Sequence, residues 1–281
     1  MGSKEESAVA TLHTGTRYSS VHCTGKGVFL TAMGNGEIHV LAEDGERPEI
    51  YTNADGQPAG IAMDKTGRLY IADTALRAVT QNSDDVSNVF VKEYEGKSFR
   101  GPSSLAFGPD GSMYFTDSGP LGETTLQNPS GSCFCVTMLP NGGEQILKPL
   151  VLESLAHPGG IAVSADGKNI YISELLRNRV LRLFEYPSGV WQTSVYYQFS
   201  GSVGPSCLAC GKDGTLYVGM FEPSSCAQGS SGTINVLSAD GQVSKTISIP
   251  GTAIEGLALS DDGSCLYVTE ASNKALYKVE L

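Results

Sequence analysis

The sequence predicts an all-β protein in which six antiparallel four-stranded sheets stand in a ring, a six-bladed β-propeller. Three observations carry this. First, an apolar run, an acidic turn and a tyrosine-bearing run follow one another five times. They read "PAGIAMDKTGRLYIAD" from 58, "PSSLAFGPDGSMYFTD" from 102, "PGGIAVSADGKNIYISE" from 158, "PSCLACGKDGTLYVGM" from 205 and "IEGLALSDDGSCLYVTE" from 254. Second, Ala62, Ala106, Ala162, Ala209 and Ala258 are spaced by 44, 56, 47 and 49 residues, a period that belongs to propeller blades rather than helical repeats. Third, 34 of 281 residues are glycine, with no collagen-like period, which calls for many tight turns between short strands.

Each copy divides into elements by its local chemistry. The first run, as in "GIAV" or "SLAF", is apolar on both faces with Gly or Ala at intervals, as suits an innermost strand sandwiched near a crowded axis. The "DG" or "TG" that follows predicts a tight hairpin of the primed type, because Asp and Gly tolerate positive φ. The strand then returns as "LYIAD" or "IYISE", its tyrosine packing on the adjoining sheet. Segments such as "NRVLRLF" and "KALYKVE" supply third strands, and "PEIYT", "VYYQF" and "KTISI" fourth strands. A degraded sixth copy, "YSSVHCTGKGVFLTA", carries Gly25 and Phe29 in the corresponding places. The last copy ends at Leu281 without a fourth strand, so "SAVATLH" (7–13) is expected to supply it and close the ring.

Composition narrows the function. The 19 Lys and Arg face 30 Asp and Glu, a formal charge of −11, so neither nucleic acid nor an anionic membrane surface is an expected partner. No window is apolar enough to span a bilayer and "MGSKEESAVATLHTG" has no secretory character, so a cytoplasmic protein is expected. Seven scattered cysteines point to free thiols. Cys207 and Cys210 have redox-like spacing, but on a strand they would point to opposite faces.

At this point the phrases "PGGIAVSADGKNIYISELLRNRVLRL" and "GPSSLAFGPDGSMYFTD" resemble the six-bladed propellers of the gluconolactonase (senescence marker protein) and strictosidine synthase superfamily; NHL-repeat propellers are similar. Gluconolactonase-type members hold a divalent ion at the axial mouth with Glu, Asn and Asp side chains. By that likeness the metal-binding positions fall on Arg17, Ser103, Gly159 and Ser206, none of them a carboxylate. The resemblance therefore implies no metal ligand at these places and no cofactor; a divalent metal would need ligands drawn from elsewhere. Strictosidine synthases carry their catalytic glutamate in a phrase similar to "AIEGLAL", which implies Glu255 as an acid/base or a holder of a cationic ligand.

The candidate site is thus a small-molecule pocket at the axial mouth. Glu255 and His157 are its candidate catalytic residues. Arg17, Ser103, Gly159 and Ser206 are its candidate ligand-binding residues, offering guanidinium, hydroxyl and, at Gly159, close backbone approach. His157 as a general base needs an orienting acid, and Glu255, two blades away across the channel, is expected to contact it through a water. The recurring acids Asp73, Asp117, Glu174 and Glu270 read as turn-capping scaffold. The insertions 118–132 and 221–232 are long enough to fold over the pocket. Metal-free acid/base chemistry on a small organic ligand is the expected function. Two alternatives are an NHL-like scaffold with a protein partner, and a metal-dependent lactone or ester hydrolase with other ligands.

Overall fold

A computed structural model describes residues 7–42, 45–83, 86–138, 145–201, 203–222 and 230–281. The leader reading of the first six residues and most of the 221–232 insertion lie outside them.

Six four-stranded antiparallel sheets form the blades. Blade 1 is Ser20–Thr24, Gly27–Ala32, Glu37–Leu41 and Glu49–Asn53; blade 2 is Pro58–Met63, Leu69–Asp73, Ala78–Ser83 and Val86–Val91. Blade 3 is Pro102–Phe107, Met113–Asp117, Gly131–Met138 and Gln145–Leu155; blade 4 is Pro158–Val163, Asn169–Glu174, Arg179–Glu185 and Trp191–Gln198. Blade 5 is Pro205–Cys210, Leu216–Met220, Ser231–Leu237 and Val243–Pro250. Blade 6 is Ile254–Leu259, Cys265–Glu270, Ala275–Glu280 and, as expected, the N-terminal strand Val9–Thr14. That strand pairs antiparallel with Ala275–Glu280, Val9 opposite Val279 and Thr14 opposite Ala275. A small hairpin, Glu93–Tyr94 with Lys97–Ser98, leads into blade 3 and was not foreseen from the sequence.

The turns differ from the expected primed hairpins. In the blade 3 turn Gly111 N–H donates to Gly108 O at 3.0 Å and Gly108 N–H to Ser112 O at 2.8 Å, a three-residue loop with a single left-handed position. Only the glycine takes positive φ, as at Gly67 (83°) and Gly111 (86°). The aspartate instead accepts the N–H two residues on, as Asp110 does from Ser112 at 3.0 Å. Blade 1 is one residue shorter here, so its left-handed glycine is Gly27 rather than Gly25.

Two kinds of blade contact alternate around the ring. From odd blades, a serine just inside the mouth donates to the first inner-strand carbonyl of the next blade: Ser19 to Pro58 O (3.2 Å), Ser103 to Pro158 O (3.2 Å) and Ser206 to Ile254 O (2.6 Å). From even blades, a glycine lets the next inner strand close in. A Cβ on Gly60 would meet Ser103 O at 2.6 Å, one on Gly160 would meet Cys207 Cα at 2.6 Å, and one on Gly256 Ser20 Cα at 3.0 Å. Apolar clusters fill the wedges between blades; that of blades 2 and 3 centres on Phe115 stacked on Phe134 at 5.3 Å, with the Tyr70 ring 5.2 Å from Phe107.

Candidate functional site

The strand-ending acids fix the mouth. Asp73 Oδ1 accepts from Gln57 N–H (3.0 Å) and Asp117 from the Arg100 and Gly101 N–H groups (3.0 and 2.8 Å). Glu174 accepts from Ala156 N–H (2.7 Å) and Glu270 from Ala253 N–H (2.9 Å). All four are buried, and each ties down the segment that enters an inner strand. Their scaffold role is as expected, and it also sets His157, next to Ala156, and Glu255, two residues beyond Ala253.

One cavity of about 710 Å³ runs along the axis, and Arg17, Ser103, His157, Gly159, Ser206 and Glu255 all line it. The ring thereby brings together residues up to 238 positions apart. Arg17 Nε donates to Glu255 Oε2 at 3.0 Å and its Nη2 to Oε1, a two-pronged pair with Arg17 59% and Glu255 13% exposed. Hydrogen bonding to Glu255 raises the Arg17 pKa further. Both carboxylate oxygens are thus engaged by the one guanidinium.

His157 has a left-handed backbone (φ 57°), a conformation uncommon for a non-glycine residue, and its carbonyl accepts from Leu175 N–H at 3.1 Å. Its Nδ1 is buried with no partner, and burial lowers the imidazole pKa to about 4. Among the described residues no direct hydrogen bond joins it to Glu255.

Ser103 and Ser206 line the cavity, yet their hydroxyl protons serve the blade ties described above. The close approach that Gly159 permits is to the next blade: a Cβ there would meet Ser206 O at 2.5 Å. From the 118–132 insertion, Ser118, Gly119, Pro120 and Leu121 reach the rim, and Phe221 does so from the other insertion. Sequence reasoning missed Gln57 at the mouth and His22 deeper in the channel. The signal for His22 was available: it stands where five blades carry alanine.

The donor set does not fit a divalent ion. Such an ion needs several converging oxygen ligands, whereas the mouth offers a guanidinium, two serines committed to carbonyls, the Gln57 amide, the His157 imidazole and a single carboxylate, which that guanidinium holds. Among the described residues no group of three His, Cys, Asp or Glu is arranged to hold a metal. The six cysteines described are all free. Burial pushes the thiol of Cys207 up to about 12 and that of Cys210 up to about 11, which leaves the pair poor nucleophiles. No helix among the described residues is long and apolar enough to cross a membrane.

The family model of the SMP-30/gluconolactonase/LRE-like region matches residues 19–272. A lactonase, drp35 of Staphylococcus aureus strain MRSA252, is 27% identical over 206 residues, 69% of this chain and 60% of the relative's length. The chain thus spans less than two thirds of that relative's length. A gluconolactonase from Xanthomonas campestris superposes with TM-score 0.80 at 17% identity, covering 98% of this chain and 90% of the other. A calcium-binding regucalcin from Agrobacterium tumefaciens strain C58 gives 0.78 at 16% identity, with 98% and 94% covered.

Proposed function

Because the chain belongs to the SMP-30/gluconolactonase/LRE-like family, we propose that its axial cavity binds a small lactone or ester and that the mouth acts on it by acid/base chemistry without a metal ion. The observation that carries this reading is the single cavity on which the Arg17–Glu255 pair and His157 meet. The volume of about 710 Å³ suits a small organic molecule. The similar lactonase agrees with the substrate class, and the donor set argues against a bound ion.

In this reading each residue has one task. An unpaired buried nitrogen is least costly as a bare lone pair, so His157 carries its proton on Nε2. Nε2–H donates to the acyl oxygen of the ligand as negative charge develops there. Arg17 turns from Glu255 to the ligand, freeing a carboxylate oxygen to take the proton of an attacking water. The water oxygen bonds the acyl carbon, the ring C–O bond breaks, and the leaving oxygen recovers the proton. The product hydroxy acid leaves its carboxylate beside Arg17. The free thiols among the described residues suit a reducing compartment, and the cytoplasm is part of the proposal. A scaffold role is less supported: the exposed apolar side chains, such as Ile50, Val89, Ile146 and Val195, are spread over the outer strands of several blades.

Melting the protein in millimolar γ- and δ-lactones tests the binding step, since a ligand specific to the folded state raises the melting temperature by mass action. A rise with any of them that is lost in Glu255→Gln supports the reading. No rise with any of them overturns it.

A further inference from the structure

The inner strands are in register around the ring. Ala62, Ala106, Ala162, Ala209 and Ala258 pair with Tyr70, Tyr114, Tyr171, Tyr217 and Tyr267, and in blade 1 His22 pairs with Phe29. Blade 1 therefore has an imidazole in a layer that is otherwise alanine. The layer toward the mouth is one branched aliphatic residue per blade: Val21, Ile61, Leu105, Ile161, Leu208 and Leu257, all lining the cavity. Such a collar offers no partner to hydroxyl groups, so a polyhydroxylated ligand would leave them unpaired there.

His22 lies beyond this collar on the same cavity wall. Its Nε2 accepts from Met63 N–H at 3.2 Å, which places the ring proton on Nδ1. No described group accepts from Nδ1. Three strand residues separate His22 from the Glu255 layer, about 10 Å along the strand.

We propose that His22 is a second recognition point, beyond the aliphatic collar of the channel, whose Nδ1–H bonds an acceptor oxygen on the tail of an elongated ligand with an apolar middle. The proposal rests on the reading of the cavity as a lactone site and narrows its substrate class. The class is a medium-chain lactone carrying a carbonyl near the end of its chain, in preference to a sugar lactone.

Calorimetric titration with three probes tests this: γ-undecalactone, the same lactone bearing a ketone on the penultimate carbon of its side chain, and δ-gluconolactone. Wild type is expected to bind the keto-lactone about fivefold more tightly than γ-undecalactone, the range of one neutral hydrogen bond, and δ-gluconolactone most weakly. His22→Ala installs the residue of the other five blades, and should make the two alkyl lactones equal while leaving γ-undecalactone within about twofold. His22→Gln, which restores a donor, should recover part of the preference. Equal binding of the two by wild type, survival of the preference in His22→Ala, or tighter binding of δ-gluconolactone overturns the inference and leaves the lactone site standing. Binding of none of the three by wild type overturns both.

Discussion

Arg17 and Glu255, 238 residues apart in the chain, meet at the channel mouth with Nε of one donating to Oε2 of the other at 3.0 Å. The contact joins the entry to blade 1 with the inner strand of blade 6, so it exists only because the ring closes. Arg17 is largely solvent-exposed, and an exposed pair contributes about 1 kcal/mol or less. Glu255→Gln should therefore shift the melting temperature by no more than a few degrees while abolishing stabilisation by lactones. A large loss of stability with ligand stabilisation retained would make the pair structural.

Ring closure itself depends on Val9–Thr14. Deleting residues 1–14 removes the fourth strand of blade 6 and bares the edge of Ala275–Glu280. It also strips Val9 and Leu12 from the apolar clusters they cover. Thermal denaturation should show a loss of several kcal/mol, or the truncated chain should fail to accumulate in soluble form. A melting temperature close to that of the full chain would show that blade 6 stands on three strands.

Glu270 accepts three backbone N–H groups, from Ala253, Ser272 and Asn273, at 2.7 to 2.9 Å. Glu270→Ala should cost roughly 3 kcal/mol or more, since each orphaned buried donor is worth about 1–3 kcal/mol. Because Ala253 leads into Glu255, lactone binding should weaken as well. Chemical denaturation and calorimetry on this one variant check both effects.

His22 and His157 each have a pKa lowered to about 4, mainly by burial. The unfolded chain takes up their protons near pH 6.5, where the folded chain does not. Stability should accordingly fall as pH drops from about 6.5 to about 4, by about 3 kcal/mol for each histidine at most, and stop falling on their account below that. His22→Ala and His157→Ala should each flatten the slope of denaturation free energy against pH in this window. An unchanged slope in both would contradict the assigned burial.

The blades were legible because most share one local grammar: alanine and turn glycine at fixed spacing in five of the six, and an acid ending the second strand in four. Closure by the N-terminal strand followed from a missing fourth strand. Six of the residues lining the mouth were legible too, since the segments that lead into and begin the inner strands converge on the axis. What they do there was not. The hydroxyls of Ser103 and Ser206 are spent on carbonyls of the next blade, a contact set by blade spacing rather than by any local phrase. Gly159 serves the same close packing. The alternation itself stands in the sequence as Ser-Ser, Ala-Gly, Ser-Ser, Gly-Gly, Ser-Cys and Glu-Gly at matched places, in which Glu255 is the one charged member. His22 escaped notice because the shortened hairpin of blade 1 hides its register with the alanines.

The central claim is that the mouth works on its ligand without a metal. Following lactone ring opening by the acid it releases, in buffer containing EDTA and then with calcium, zinc or manganese added, tests it most directly. The account predicts the same rate with and without chelator, and loss of that rate in Glu255→Gln and His157→Gln. Activity that EDTA abolishes and a divalent ion restores would contradict it.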